Sequence, residues 1–294
     1  MSNPVKVLVV ISNLSHGGAE RQIVELANRI NRDVVDLHLC SLSHHMPLKE
    51  YLKHPDKLHV IEKHKKYDLG LILRLARFLR RERFDVVHGF LFDAEIASRL
   101  AGVIARTPMI VGSERNSRNH FSRLKTAIYK YTAPCIDVCV ANSKAGMEFS
   151  HRVFGIPKNK YRVIRNGVDT VRFSPGKSAI NRAEWGLPDS TPVVGIVASY
   201  KRQKNHSLLL RAAADLGGQD FRLLFVGSAI REGSEPTAAY FESIQALVDD
   251  LGIRDKCVFM EARNDVEEVY RLCDITVLPS LFEGTPNVAL ESMS

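Results

Sequence analysis

No stretch of this 294-residue chain approaches eighteen consecutive apolar residues, so a membrane-spanning helix is not expected. Cysteine is scarce: Cys40, Cys135, Cys139, Cys257 and Cys273 are an odd set with no Cys-x-x-Cys among them. A zinc ribbon or a disulfide framework is thereby disfavoured, and buried reduced thiols in a cytosolic protein are expected instead. The apolar run Val5 to Ser12 is too short for a signal peptide and meets polar residues at once, so it reads as a first buried strand. A G-x-G-x-x-G spacing is missing, which argues against a dinucleotide-dependent dehydrogenase. Repeats, low-complexity tracts and metal-type aspartate clusters are missing too. Acidic excess is also lacking: 41 basic against 33 acidic side chains leave a net charge of +8. That sign favours nucleotides, phosphorylated substrates, anionic membrane faces or nucleic acid as partners, or serves only solubility; charge alone does not separate these.

What is present is average globular composition, 45% hydrophobic and 25% charged, at a length that suggests two domains. Nearly continuous apolar strands are expected at 5–12, 35–42, 58–62, 85–90, 109–113, 137–141 and 161–165. Helical periodicity falls between them, at 19–30, 69–83, 94–104, 121–131 and 144–154. Strands buried on both faces and separated by helices define a doubly wound parallel α/β domain. Between Asn166 and Thr191 the rhythm lapses into a Pro- and Gly-rich linker with a short helix at 180–185. It restarts with strands at 193–198, 223–226, 257–260 and 275–278, and helices at 207–216, 237–251 and 266–272. The expected domains are therefore 1–172 and 173–294. The second is expected to be incomplete, because a six-stranded half needs about two more strand–helix units of roughly 30 residues each.

The segment Leu281-Phe282-Glu283-Gly284-Thr285-Pro286-Asn287-Val288-Ala289-Leu290-Glu291 carries the most chemistry. It follows a strand, where open α/β sheets bind ligands. Thr285 can cap a helix whose first position is Pro286, leaving the N–H groups of Asn287 and Val288 at the positive end of the helix dipole, suited to a diphosphate. Gly284 permits close backbone approach. Glu291 falls on the same helix face as Asn287, and Glu283 precedes the turn. Two carboxylates with amide donors between them suit the hydroxyls and diphosphate of a nucleotide sugar. The spacing equally suits a capped surface helix with solvated glutamates.

Glu283-Gly284-x-Pro286 with Glu291 resembles the donor-site signature of retaining glycosyltransferases of family four, which have the GT-B fold of two Rossmann-like domains. His16-Gly17-Gly18-Ala19-Glu20-Arg21 follows the first strand as the family's glycine loop does. Asn166-Gly167-Val168-Asp169 resembles the segment before the family's linker, and is given a structural role only. Lys204-Asn205-His206 stands where the family has a phosphate-binding lysine. The resemblance implies a nucleoside-diphosphate-sugar donor, a hydroxyl acceptor, retention of configuration, and no metal or other cofactor. Glu283 would lie near the donor sugar, Glu291 on the ribose and Lys204 on the diphosphate; Gly17 and Gly18 would face the donor phosphates or the acceptor. The chain departs from the pattern in two places. Ala198-Ser199 replaces the usual Gly–Arg pair, with Lys201 or Arg202 as substitutes for the missing charge. The segment Gly112-Ser113-Glu114-Arg115-Asn116 lacks the family's histidine, for which His88 is the nearest candidate.

Two basic stripes remain. Arg74, Arg77, Arg80, Arg81 and Arg83, preceded by Lys63, Lys65 and Lys66, lie along an amphipathic helix with Leu71, Ile72, Leu75 and Leu79. This is either a helix lying on an anionic membrane near a lipid-linked acceptor or a core-facing helix with a solvated basic face. Arg115, Arg118, Arg123, Lys125 and Lys130 could face an anionic acceptor. Neither stripe carries interleaved aromatics, so nucleic acid is not an expected partner. The resemblance implies a cytoplasmic hexosyltransferase of bacterial surface-polysaccharide or glycolipid synthesis, peripheral on the inner face of the membrane. A nucleotide-sugar epimerase on the same fold, or an inactive nucleotide-binding fragment, are the rival expectations.

Overall fold

The computed structural model describes residues 3–15, 17–65, 67–115, 121–228 and 235–294. The chain divides into two compact units, Met1–Asn166 and Gly167–Ser294.

Unit 1 is a seven-stranded, wholly parallel sheet: β1 Val5–Ile11, β2 Val35–Ser41, β3 Leu58–Val60, β4 Val86–Phe90, β5 Met109–Glu114, β6 Val138–Ala141 and β7 Tyr161–Val163. The order across it is β3-β2-β1-β4-β5-β6-β7. The helices are α1 Gly18–Arg29, α2 Leu69–Glu82, α3 Phe92–Ala105, α4 Arg123–Thr132 and α5 Lys144–Phe154. Residues four or so apart on each helix turn inward, as helical period demands: Ile23, Val24 and Ala27 on α1, and Leu71, Leu75, Ala76 and Leu79 on α2. Local chemistry sets several ends. Asp68 accepts from the Leu71 N–H and caps α2, Ser143 does the same for α5 through Gly146, and Gly155 at φ 76° closes α5.

A buried ionic group lies in unit 1. Arg99 is 0% and Glu95 1% exposed. Arg99 donates to Glu95 and, at 3.0 Å, to Thr132 Oγ1, while the Tyr129 hydroxyl donates to the other Glu95 oxygen. The attraction between the two charges and their hydrogen bonds offsets much of the cost of burying them, so loss of either partner leaves the other uncompensated between α3 and α4.

Unit 2 is a four-stranded parallel sheet: β8 Val193–Val197, β9 Arg222–Val226, β10 Cys257–Met260 and β11 Ile275–Thr276, in the order β10-β9-β8-β11. The helices are α6 His206–Asp215, α7 Glu235–Asp250, α8 Val266–Leu272 and α9 Asn287–Met293. The expected helix at 180–185 is a shorter 3-10 turn, Arg182–Trp185, closed by Gly186 at φ 66°. The strand expected at 275–278 pairs over only two residues. It lies at the sheet edge against β8 alone, and beyond the bond from Val277 N to Gly195 O the chain turns away before Pro279, which has no N–H to give. All five cysteines are unpaired thiols.

Candidate functional site

In an open parallel sheet, ligands bind beyond the carboxyl ends of the strands, where the strand order reverses. Unit 2 reverses between β8 and β11, which are hydrogen-bonded neighbours. The loop after β8 carries a 3-10 turn, Arg202–Lys204, ended by Asn205 in the left-handed region at φ 53°. The loop after β11 runs to α9. Three contacts join the two loops. Leu281 N donates to Gln203 O at 2.8 Å, Gln203 Nε2 donates to Phe282 O at 2.7 Å, and Lys204 Nζ pairs with Glu283 Oε1 at 2.6 Å. The paired side chains are 18% and 19% exposed, so the pair sits at the edge of bulk water rather than in it. Glu291, one helical turn into α9, accepts from the Tyr270 hydroxyl on α8 at 2.9 Å. The ring of Tyr270 packs edge-on against Phe173, with centroids 6.0 Å apart.

The expected cap of α9 shifts by one residue. Pro286 is the N-cap, at ψ 120° and with no side-chain acceptor, and Asn287 opens the helix. Thr285 therefore does not hold the cap position. The expected donor residues fall into two groups. Lys204, Glu283 and their flanking loops meet directly, and Glu291 is fixed by Tyr270 on the helix that follows. Lys201 and Arg202 lie on the same short turn as Lys204, with Arg202 exposed. Gln203 and Tyr270 carry no sequence signal: one is a polar residue in a loop, the other meets Glu291 only because α8 packs on α9.

Unit 1 reverses between β1 and β4. Gly17 is the N-cap of α1, and Gly18 opens that helix. A Cβ at Gly17 would stand 2.1 Å from Glu20 Oε2, and Glu20 is only 3% exposed. Gly17 thus makes room for a carboxylate of its own helix. His16 lies outside the described residues.

His88, on β4, shares a 2.7 Å hydrogen bond between Nε2 and Ser113 Oγ on β5. Burial first, and the charge of Arg115 second, push its pKa down to about 3. His88 is therefore a neutral imidazole at ordinary pH. The turn after β4 passes through Leu91 at φ 67°, a left-handed conformation uncommon for a non-glycine residue.

The basic stripes separate on folding. On α2, Arg74 bonds Asp68 and the Glu62 carbonyl, Arg80 the Ile104 carbonyl and Arg81 Glu82, while Arg77 and Arg83 are exposed. Beside them an apolar groove between α2 and α3 is lined by Leu69, Ile72, Leu73, Leu100, Val103 and Ile104. In the second stripe Arg123, Lys125 and Lys130 lie exposed on α4, whereas Arg115 is held at the end of β5. Lys66, Asn116 and Arg118 lie outside the described residues. Among the described residues, no helix is long and apolar enough to cross a membrane, and no three His, Cys, Asp or Glu side chains are grouped to hold a metal ion.

The profile of Glycosyltransferase Family 4 matches residues 16–172, and that of Glycosyl transferases group 1 matches residues 177–294. The first alone spans more than half of the sequence, and the chain belongs to glycosyltransferase family 4. It is similar to the D-inositol 3-phosphate glycosyltransferase of Mycobacteroides abscessus, at 34% identity over 161 residues, 54% of this chain and 35% of that protein. The chain thus matches only about a third of the length of that relative. It is similar along its whole length to the putative glycosyltransferase EpsF of Bacillus subtilis, at 25% identity over 78% of that protein. Among solved structures, Anabaena HepE in complex with UDP and glucose superposes with a TM-score of 0.83 at 20% identity, over 98% of this chain and 78% of that one. Two Rossmann-like units in series, as in these neighbours, make the fold GT-B.

Proposed function

We propose that this chain transfers a hexosyl group from a nucleoside-diphosphate sugar to a hydroxyl acceptor, with the anomeric configuration retained. Unit 2 binds the donor and unit 1 the acceptor. The observation that carries the reading is the Lys204–Glu283 pair at the strand-order reversal of unit 2: a cation and a hydrogen-bond acceptor side by side where such sheets bind ligands. Lys204 neutralises the donor diphosphate, helped by the first-turn amides of α9 at Asn287 and Val288 and by the flanking Lys201 and Arg202. Gly284, Thr285 and Pro286 bring that backbone close. Glu283, released from Lys204, accepts from donor-sugar hydroxyls, and Glu291, oriented by Tyr270, accepts from the ribose.

In the transfer, the bond from the anomeric carbon to the diphosphate oxygen breaks while the acceptor oxygen bonds to the same face of the sugar. The departing charge is offset by Lys204 and the helix amides, and the acceptor proton passes to a donor phosphate oxygen. Proton transfer through His88 has no part in this scheme. Family relatives whose names include a galactosyltransferase of Escherichia coli acting on a diphosphoundecaprenol-linked sugar favour surface-polysaccharide or glycolipid synthesis at the cytoplasmic face of a membrane. The apolar groove of α2 and α3, on a helix that also carries the exposed Arg77, Arg80 and Arg81, supports an anionic bilayer as the surface on which the enzyme rests.

A thermal-shift screen of nucleoside diphosphates and their sugars tests the donor reading. One base should stabilise the protein, and Glu291→Ala should abolish that stabilisation. Epimerisation of the sugar nucleotide without any acceptor would refute the transferase reading in favour of an epimerase.

A further inference from the structure

Among the described members of its basic stripe, Arg115 is the one that folding encloses, and residues at the ends of four strands surround it. Its own strand, β5, ends one residue before it. Its guanidinium lies over the ring of Phe90, the last residue of β4, at 5.5 Å. Asn142, the residue after β6, donates from Nδ2 to the Arg115 carbonyl at 3.1 Å. Asn166, three residues past β7, accepts from Arg115 Nη2 at 2.7 Å. The flanking His88 is uncharged. Glu114, next in sequence, acts on the guanidinium by Coulombic attraction and offsets part of the cost of its burial. Burial lowers the Arg115 pKa to about 10, which still leaves it fully charged at neutral pH.

A cation taken out of water whose side-chain hydrogen bond goes to a neutral amide, with an aromatic face beside it, is incompletely compensated. Nε and Nη1 make no hydrogen bond to any described residue, and neither is sealed from solvent. A guanidinium held rigid on one side, with further N–H groups left over, is the geometry that receives an oxyanion.

We propose that Arg115 forms an oxyanion site at the carboxyl ends of β4 to β7 in unit 1, which takes a phosphate or carboxylate group carried by the acceptor. The assignment of that oxyanion to the acceptor rests on the reading of unit 1 as the acceptor unit; the anion site itself does not. Its fork selects acceptors that already bear the charge, and so names their class: sugar phosphates, lipid-linked phosphates or acidic sugars, rather than neutral glycans.

The test is calorimetric titration of the full chain with inorganic phosphate while a nucleoside diphosphate saturates the donor site. Saturable phosphate binding is expected, weakened about 10- to 100-fold in Arg115→Gln, as loss of a charge-assisted pair predicts, and partly kept in Arg115→Lys. Asn166→Asp supplies a carboxylate to Arg115 in place of the amide, and should abolish phosphate binding with the arginine present and the fold intact. Titrations with acetate, a soluble hexose phosphate and a polyprenyl phosphate in detergent then separate carboxylate, free-phosphate and lipid-linked acceptors. Lack of saturable binding by the wild type, displacement of phosphate by the nucleotide, or affinity unchanged within about twofold in both Arg115→Gln and Asn166→Asp would each overturn the proposal. Nucleotide binding is read in the same titrations, so failure of the donor site registers separately.

Discussion

Replacing Glu283 with Gln should tighten the binding of a nucleoside diphosphate and weaken the binding of the corresponding nucleotide sugar. The Glu283 carboxylate lies 2.6 Å from Lys204 Nζ, where it occupies the charge that a diphosphate needs. A partly exposed ion pair contributes up to about 1 kcal/mol. Removing the competing carboxylate returns that amount to the diphosphate, or about a fivefold lower Kd. The nucleotide sugar loses more than it gains, because its hexose loses a charged acceptor whose hydrogen bonds are worth about 1.5–3 kcal/mol. Lys204→Ala must behave differently, weakening both ligands about 10- to 100-fold by the same range. Isothermal titration of both ligands into wild type and both variants provides the check. If Glu283→Gln weakens the bare diphosphate as Lys204→Ala does, Glu283 supports the phosphate site instead of competing for it, and the reasoning fails.

Other expectations follow from single contacts. Tyr270→Phe keeps the packing on Phe173 but removes the hydroxyl that donates to Glu291, so the donor KM should rise about five- to tenfold with kcat held, an effect near 1 kcal/mol; unchanged KM would detach Tyr270 from the site. Arg99→Met strands Glu95 in the core and should cost unit 1 about 3–5 kcal/mol in urea denaturation, whereas a loss below about 1 kcal/mol would mean that the group is not coupled. His206 is 1% exposed, stacked on Tyr200, and burial lowers its pKa to about 4 from 6.5. The unfolded chain therefore takes up the proton first as pH falls. The stability associated with the neutral ring is complete above about 6.5 and is lost on descent towards 4, roughly 3 kcal/mol in all. His206→Gln should flatten that slope in urea titrations at the two ends of the window, and an unaltered slope would assign it elsewhere. Gly195→Ala puts a Cβ 2.2 Å from Cys273 Sγ and should lower the stability of unit 2 by about 1–3 kcal/mol, an effect that Cys273→Ala relieves.

Most of the architecture was legible because a parallel sheet buried on both faces writes its strands as apolar runs, and these came out within a residue or two at β1, β2, β5, β6, β9 and β10. Legibility failed where pairing or capping decides the boundary. β11 has a partner on one side only, so its apolar run outlasts its hydrogen bonds. The Thr285 cap gave way to Pro286 because propensity cannot fix a helix start to one residue. At the site, the carboxylates and the lysine could be named from spacing, but not what holds them. Gln203 meets Phe282 and Lys204 meets Glu283 across 79 residues, and Tyr270 meets Glu291 across 21. The sequence records none of these separations. Glu20 was hidden for the opposite reason. It stands in the first turn of a helix beside two glycines, and the fold turns it inward to 3% exposure, against Gly17. Ser113 had a signal that register would expose: His88 pairs with Val111, and the residue two along the strand shares its face.

The stitching of the β8 loop to the β11 loop has a consequence for folding. Its two ends are 79 residues apart in the chain, and between them lie β9 and β10 on one flank of β8, while β11 closes the other. A contact of such sequence separation carries its loop-closure entropy late, so this corner is among the last parts of unit 2 to form and among the first to open. A ligand that needs both loops recognises only the finished unit, and its stabilisation grows with the logarithm of its concentration. Nucleotide-dependent protection of the Leu281 and Gln203 amides in hydrogen exchange would therefore report the completion of folding as directly as it reports occupancy.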